Sequence, residues 1–119
     1  MKTDGDLNQA TLRELEKLGG ATFVGQMIDV FFEHVPGQLA RMRGEGAEAV
    51  AEIEQAAHSV KSSARAVGAD ALQQVAERLE SLAREGRASE LPALVREAEA
   101  AYARVVVLLT GERKRVETG

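Results

Sequence analysis

The chain of 119 residues contains no cysteine and no tryptophan, and it has only two histidines, one tyrosine and three phenylalanines. Without cysteine it can form no disulfide, no thiolate metal site and no cysteine nucleophile, and its composition is compatible with a reducing cytoplasm. Histidine is the side chain that ordinarily titrates near neutral pH. Any acid–base or nucleophilic chemistry at that pH is therefore expected at one of the two histidines.

Long apolar runs and basic clusters are also scarce. The first residues, MKTDGDLNQATL, lack the apolar stretch of a signal peptide, and no run is long enough to span a bilayer. We therefore expect a cytoplasmic protein with no membrane partner. The net charge is -4, and the clustered cations are Arg113, Lys114 and Arg115, which we interpret as the basic end of a helix or a solvated tail. Without a basic face or stacking aromatics, nucleic acid is not an expected partner.

The spacing of apolar residues predicts helices throughout. Alanine, leucine, glutamate and arginine are abundant, all of them good helix formers, and the length suits one domain over residues 1–119. Glycine and proline mark the boundaries of the segments. The predicted fold is all-α, an antiparallel up-down four-helix bundle with a short additional N-terminal helix. The predicted segments are 7–18, ending at Gly19-Gly20; 21–42, loosened or kinked at Pro36; 47–67; 70–85, capped by Asp70; and 90–110, followed by a tail at 112–119.

The helix predicted over 47–67 places one histidine outside its apolar stripe. At about 100° per residue, His58 lies roughly 120° from the centre of that stripe, so it should face water. A histidine in its neutral form keeps a free ring nitrogen that can act as a nucleophile. The stripe itself comprises Val50, Ile53, Ala57, Val60, Ala64 and Val67.

Three residues share the predicted outer face with His58. Lys61, Ser62 and Arg65 follow it by three, four and seven residues. An ammonium one turn away can stabilise the negative charge of a phosphorylated imidazole, and a small side chain leaves room for an incoming protein. This face is therefore a candidate phosphoryl-acceptor site.

The segment AAHSVKSSARAVGADAL, residues 56–72, resembles the signature of histidine-phosphotransfer domains. That signature has a histidine, two residues, a lysine, two small residues and, one turn later, Gly-Ala. Many members have glycine where Ser62 stands, and serine keeps the side chain small. The matching residues are His58, Lys61, Ser62, Ser63, Gly68 and Ala69.

The resemblance implies a phosphorelay carrier with His58 as phosphoacceptor and Lys61 as the residue that stabilises phosphoryl charge. Its implied partners are aspartyl-phosphate receiver domains of a hybrid histidine kinase and of response regulators, which would supply magnesium, the carrier itself binding no cofactor. It also implies a protein that is not an enzyme and has no kinase activity of its own. In agreement, the sequence has neither a G-x-x-x-x-G-K nor a G-x-G-x-x-G nucleotide loop. The residue directly after His58 is Ser59, whereas autophosphorylating sensor kinases share an acidic residue at that position.

Several interpretations of the neighbouring residues stay open. Taken alone, His58 would be an ordinary surface histidine, and it is the flanking pattern that favours phosphotransfer. Glu54, four residues earlier, is interpreted as solvated. Glu80 lies near the level of His58 across the predicted hairpin; it could orient the imidazole or contact a partner, although a solvated salt bridge is favoured. Arg65 either meets an acidic receiver or is solvated.

Two other functions remain as alternatives. One is a non-catalytic helical adaptor that binds receiver or kinase domains, against which the intact His58 and Lys61 argue. The other is the histidine-bearing module of a larger chemotaxis-like kinase. His34 is interpreted as a packed or solvent-facing residue, and the chain lacks the paired Glu-x-x-His motifs of metal-binding bundles. We expect a monomer, because the histidine face must stay free and no heptad seam remains.

Overall fold

The computed structural model describes residues 3–44 and 46–118, and within these ranges it contains helices and no strand. This confirms the all-α class. A single 3₁₀ turn, Ala88–Glu90, precedes the last helix. The helices are α1 (Thr3–Asp6), α2 (Gln9–Arg41), α3 (Ala49–Val67), α4 (Asp70–Arg84) and α5 (Leu91–Thr118).

Helix α2 is broken at Gly20. This residue has φ 82° and ψ -178°, a conformation outside the helical region that is accessible essentially to glycine alone. The break predicted at Gly19-Gly20 is therefore confirmed, and it separates the helical residues 9–19 from the helical residues 21–41. Pro36 lies inside α2 with helical backbone angles, so the departure from helical geometry occurs at the glycine and not at the proline.

Helices α3 and α4 form a tight hairpin around Gly68. Gly68 has φ 79°, a left-handed conformation that ends α3 at Val67 as predicted. Asp70 was predicted as the cap of α4, but it is the first helical residue, and Ala69 occupies the cap position. His58 on α3 contacts Glu80 on α4, and Glu54, four residues earlier on α3, contacts Arg84, four residues later on α4. The two helices therefore run antiparallel.

The core lies between four helices that pack in a ring, α2 against α3, α3 against α4, α4 against α5, and α5 against α2. Helix α3 turns its small and branched side chains inward, and these are nearly all fully buried. This burial leaves the opposite face of α3 to solvent. The buried residues of α3 are Ile53, Ala56, Ala57, Val60, Ala64 and Val67.

Helix α5 continues through Gly111 to Thr118, so the predicted tail is wrong for residues 112–118, and Gly119 lies outside the described residues. The added helical turns are held by contacts with α2. The Arg113 guanidinium makes two hydrogen bonds to the Asp29 carboxylate, at 2.9 and 3.1 Å, and Val116 is buried. No helix in the described ranges has the length and apolar character needed to cross a membrane.

Candidate functional site

His58 lies on the solvent face of α3, and 62% of its side chain is exposed. Its neighbours Ala57 and Val60 are fully buried. Their burial fixes the rotation of α3 about its own axis, so the imidazole points outward. The exposure predicted from the apolar stripe is therefore confirmed. The ring is nevertheless held in place, because its Nδ1 lies 2.9 Å from Oε2 of Glu80 on α4.

Glu80 is the buried charged residue of the described chain, with 9% of its side chain exposed. The favoured prediction of a solvated Glu80 is wrong. The carboxylate tolerates burial because both of its oxygens accept hydrogen bonds from charged or polar groups. Lys61 Nζ lies 2.7 Å from Oε1, and Arg84 Nη2 lies 3.0 Å from Oε2, which also contacts His58.

These contacts set the protonation of Glu80. Burial on its own would raise the pKa of this carboxyl, but the hydrogen bonds from Lys61 and His58 outweigh it and hold the pKa below its ordinary value. At neutral pH Glu80 is thus an ionised acceptor. An acceptor at this position requires the proton on Nδ1 of His58, so in the neutral ring Nε2 carries the free electron pair.

Lys61 shares the face of His58 as predicted, but it is more enclosed than the sequence suggested. Only 19% of its side chain is exposed, since its ammonium turns inward to Glu80. Ser62 and Arg65 are exposed on the same helix. Arg65 forms no ion pair with any residue in the described ranges. The structure thus brings Lys61 and Glu80 together at His58 and leaves Ser62 and Arg65 available on the surface around them.

Glu54 and Arg84 complete the cluster. Glu54 makes no hydrogen bond to His58; its Oε2 accepts a hydrogen bond from Arg84 Nε at 3.3 Å. Sequence reasoning missed Arg84, although its position four residues after Glu80 on a helix is the spacing of an ion pair. Together with Ala51 and Gln55, the residues Glu54, His58 and Glu80 line an open groove between α3 and α4.

The second histidine of the chain does not belong to this cluster. His34 lies half-buried on α2 and makes no hydrogen bond to His58, Lys61 or Glu80. In residues 3–44 and 46–118, no group of three or more histidines and carboxylates is placed to hold a metal ion.

The fold and the site together define a helical module that presents one histidine, held by a buried carboxylate, to solvent. The family model of the Hpt domain matches residues 26–107, which is more than half of the chain and includes all of α3 and α4. The chain belongs to the Hpt domain family, the histidine phosphotransfer domains of two-component phosphorelays. The resemblance of the segment 56–72 to that family is therefore confirmed.

A solved structure supports the same assignment. The crystal structure of histidine-containing phosphotransfer protein B (HptB) from Pseudomonas aeruginosa PAO1 is similar to this chain, with a TM-score of 0.84 and 26% sequence identity. The similarity covers 92% of this chain and 96% of the other. A comparison with curated proteins gave no match. Proteins of this family are phosphoryl carriers rather than kinases.

Proposed function

We propose that this protein accepts a phosphoryl group on His58 from the aspartyl phosphate of one receiver domain and passes it to another. The observation that supports this proposal is the pairing of an exposed imidazole with an ionised, buried carboxylate at Nδ1. That pairing leaves Nε2 as the nucleophile on the solvent side of the ring.

The transfer step needs no further group from this chain. The Nε2 electron pair of His58 attacks phosphorus, a P–N bond forms, and the P–O bond to the receiver aspartate breaks, which releases that aspartate as a carboxylate. Because Nδ1 keeps its proton, the phosphorylated ring gains a positive charge, and Glu80 stabilises that charge through the hydrogen bond already in place. In the second half of the reaction, a carboxylate of another receiver attacks the same phosphorus and Nε2 leaves with its electron pair.

The surrounding residues have separate roles in this proposal. Lys61 stabilises the phosphoryl oxygens with the ammonium donors that Glu80 does not use. Ser62 is small enough to let the receiver approach, and Arg65 contacts its surface. Because Glu80 is buried, it acts through His58 rather than by contact with the partner. Magnesium would come with the receiver, and the phosphocarrier would hold none itself.

We propose an up-down bundle, with its first segment packed as an additional N-terminal helix, that works as a cytoplasmic monomer. The partners would be the receiver domains of a hybrid histidine kinase and of response regulators. An adaptor that binds receivers without carrying phosphate is the alternative outcome of the test.

The experiment is to incubate the protein with a panel of receiver domains carrying radiolabelled aspartyl phosphate. We expect at least one receiver to transfer its label to this protein soon after the two are mixed. The label should be in the acid-labile and base-stable linkage typical of phosphohistidine. ATP alone should give no label. Binding of a phosphorylated receiver without transfer would replace the carrier proposal with the adaptor.

A further inference from the structure

Arg84 contacts the same carboxylate oxygen as the imidazole. Its Nη2 lies 3.0 Å from Glu80 Oε2, and the Nδ1 of His58 lies 2.9 Å from that atom. Arg84 is therefore linked to the nucleophilic ring through a single oxygen atom, Oε2 of Glu80. It lies on α4, outside the histidine motif of α3. With 61% of its side chain exposed, it reaches this oxygen from the solvent side.

The guanidinium is itself held from a second direction. Arg84 Nε donates to Oε2 of Glu54, which lies one turn before His58 on α3. The contact chain therefore runs from α3 through Glu54 and Arg84 to Glu80 on α4, and from there back to α3 through Lys61 and His58. A surface ion pair between Arg84 and Glu80 alone would leave the arginine free to choose other rotamers. The Glu54 contact restricts that choice.

The donors of Lys61 and Arg84 restrict rotation of the Glu80 carboxylate to different extents. The terminal torsion of a glutamate side chain is broad, so a carboxylate held by a single donor can rotate. Lys61 offers a compact ammonium with rotatable donors, which holds Oε1 in place without fixing the plane of the carboxylate. Arg84 offers a planar guanidinium with donors in fixed directions, and it holds Oε2. The plane of the carboxylate in turn determines the direction in which Nδ1 of His58 is held.

We propose that Arg84, anchored by Glu54, is a positioning residue that fixes the Glu80 carboxylate and thereby keeps the proton of His58 on Nδ1. This inference rests on the proposed function for its consequence in transfer, but the tautomer of His58 can be measured without any phosphoryl donor. Without Arg84, Oε2 is held by Nδ1 of His58 alone and Oε1 by the rotatable ammonium of Lys61, so the plane of the carboxylate is less restricted and the hydrogen bond to Nδ1 weakens. The ring then spends more time with its proton on Nε2, and in that tautomer Nε2 has no free electron pair with which to attack phosphorus.

The test compares Arg84→Gln, Arg84→Lys and Glu54→Gln with Arg78→Gln as the matched control. Arg78 lies on the same helix and is similarly exposed, but it pairs with Glu97 on α5, away from His58. Nitrogen-15 chemical shifts of the imidazole at alkaline pH report the tautomer, and label uptake from a phosphorylated receiver reports transfer.

We expect Arg84→Gln to lower the Nδ1–H population and to slow phosphoryl acceptance on the order of tenfold, less than the roughly hundredfold loss that a misplacement of reacting groups by about 1 Å can cause. Glu54→Gln should give a smaller change in the same direction, and it keeps the test valid if Arg84→Gln does not fold. Arg84→Lys should fall short of native behaviour despite its charge, whereas Arg78→Gln should match the native protein.

Two results would overturn the inference. One is a tautomer ratio and a rate in Arg84→Gln equal to those of Arg78→Gln. The other is slow acceptance with an unchanged tautomer, which would make Arg84 a contact for the receiver or the phosphoryl group instead. If the native protein takes no label while the tautomer responds as expected, the proposed function fails and the positioning role of Arg84 stands.

Discussion

The backbone N–H of Asn8 donates a hydrogen bond of 2.7 Å to the carbonyl of Gly68. Asn8 is also the cap of α2, since its side-chain oxygen accepts from the N–H of Ala10 at 3.0 Å. Its side-chain amide reaches the carboxylate of Asp70 at 3.4 Å. One residue thus joins the start of α2 to the turn between α3 and α4.

Replacing Gly68 with alanine should therefore destabilise the protein strongly. A left-handed φ of 79° costs a non-glycine residue about 1 kcal/mol, and an added Cβ would lie only 2.6 Å from the Asn8 carbonyl oxygen. We expect a total loss of about 2 kcal/mol or more in the free energy of unfolding, measured by urea denaturation. Gly86→Ala is the matched control, because Gly86 has φ 76° but open space at its Cβ, and it should lose only about 1 kcal/mol. Equal losses in both variants would show that the close approach of the Asn8 carbonyl does not add to the cost of a side chain at residue 68.

His58→Gln should abolish phosphoryl acceptance and leave the fold intact. The imidazole is largely exposed, and a glutamine amide can still donate toward Glu80, so the change in unfolding free energy should stay within about 0.5 kcal/mol. The control is His34→Gln, which removes the other histidine and should take label at the native rate. Transfer of label to His58→Gln would show that another residue is the acceptor.

Lys61→Ala should slow acceptance without abolishing it, and it should also cost stability. In the proposed mechanism His58 would form the covalent bond, whereas Lys61 would contribute charge, a role that magnesium held by the receiver would share. The stability cost arises because Lys61 donates to a buried carboxylate, and hydrogen bonds of charged groups are worth about 1.5 to 3 kcal/mol. Urea denaturation and label uptake measure the two effects separately. A variant as stable as the native protein would show that the ammonium contributes little to holding Glu80.

The stability of the protein should depend on pH through Glu80. Its pKa in the folded state lies below the ordinary value of 4.5, so its stabilising contribution is complete above that value and is lost as the pH falls through the lowered pKa. The difference in unfolding free energy between the native protein and Glu80→Gln should consequently shrink on acidification. Asp29→Asn is a useful comparison, because hydrogen bonds from Arg113 also lower the pKa of Asp29, far from His58 in sequence. It should remove an acid-sensitive contribution to stability while leaving phosphoryl acceptance unchanged; a gap between native protein and Glu80→Gln that persists in acid would contradict the prediction.

Bulk at position 62 should block transfer to and from a receiver. Ser62 is exposed one turn beyond His58, so Ser62→Trp places a large side chain where the partner must approach. Ser62→Gly should transfer at nearly the native rate. Both variants should unfold within about 0.5 kcal/mol of the native protein, which separates a steric effect from a folding defect. Normal transfer by Ser62→Trp would place the receiver contact elsewhere.

The features that the sequence predicted correctly depend on neighbours along the chain. The exposure of His58 follows from the apolar period of one helix, and the end of α3 follows from the glycine after Val67. The errors concern contacts between distant segments. Gly111 fails to end α5 because Arg113 pairs with Asp29, 84 residues away, and no local pattern contains that pair.

The burial of Glu80 could likewise not be predicted from the residues next to it in the sequence. A glutamate is ordinarily exposed, and its position on the apolar side of α4 becomes tolerable only when α3 supplies Lys61 and His58 as donors. The hairpin level of Glu80 and His58 was predictable from their distances to Gly68. The direction of the carboxylate depends on how closely the two helices approach, which the spacing of residues does not specify.

The charges around the imidazole cancel. Lys61 and Arg84 face Glu54 and Glu80, so the cluster holds two positive and two negative side chains in addition to the ring. A phosphoryl group that arrives on Nε2 meets no surplus cation within this cluster and must share Lys61 with Glu80. In the proposed phosphotransfer, the cluster would therefore add little net electrostatic attraction for a phosphoryl group on His58. In the proposed carrier this balance would be an advantage, since a phosphoryl group held with little excess affinity would leave toward a second aspartate as readily as it came from the first.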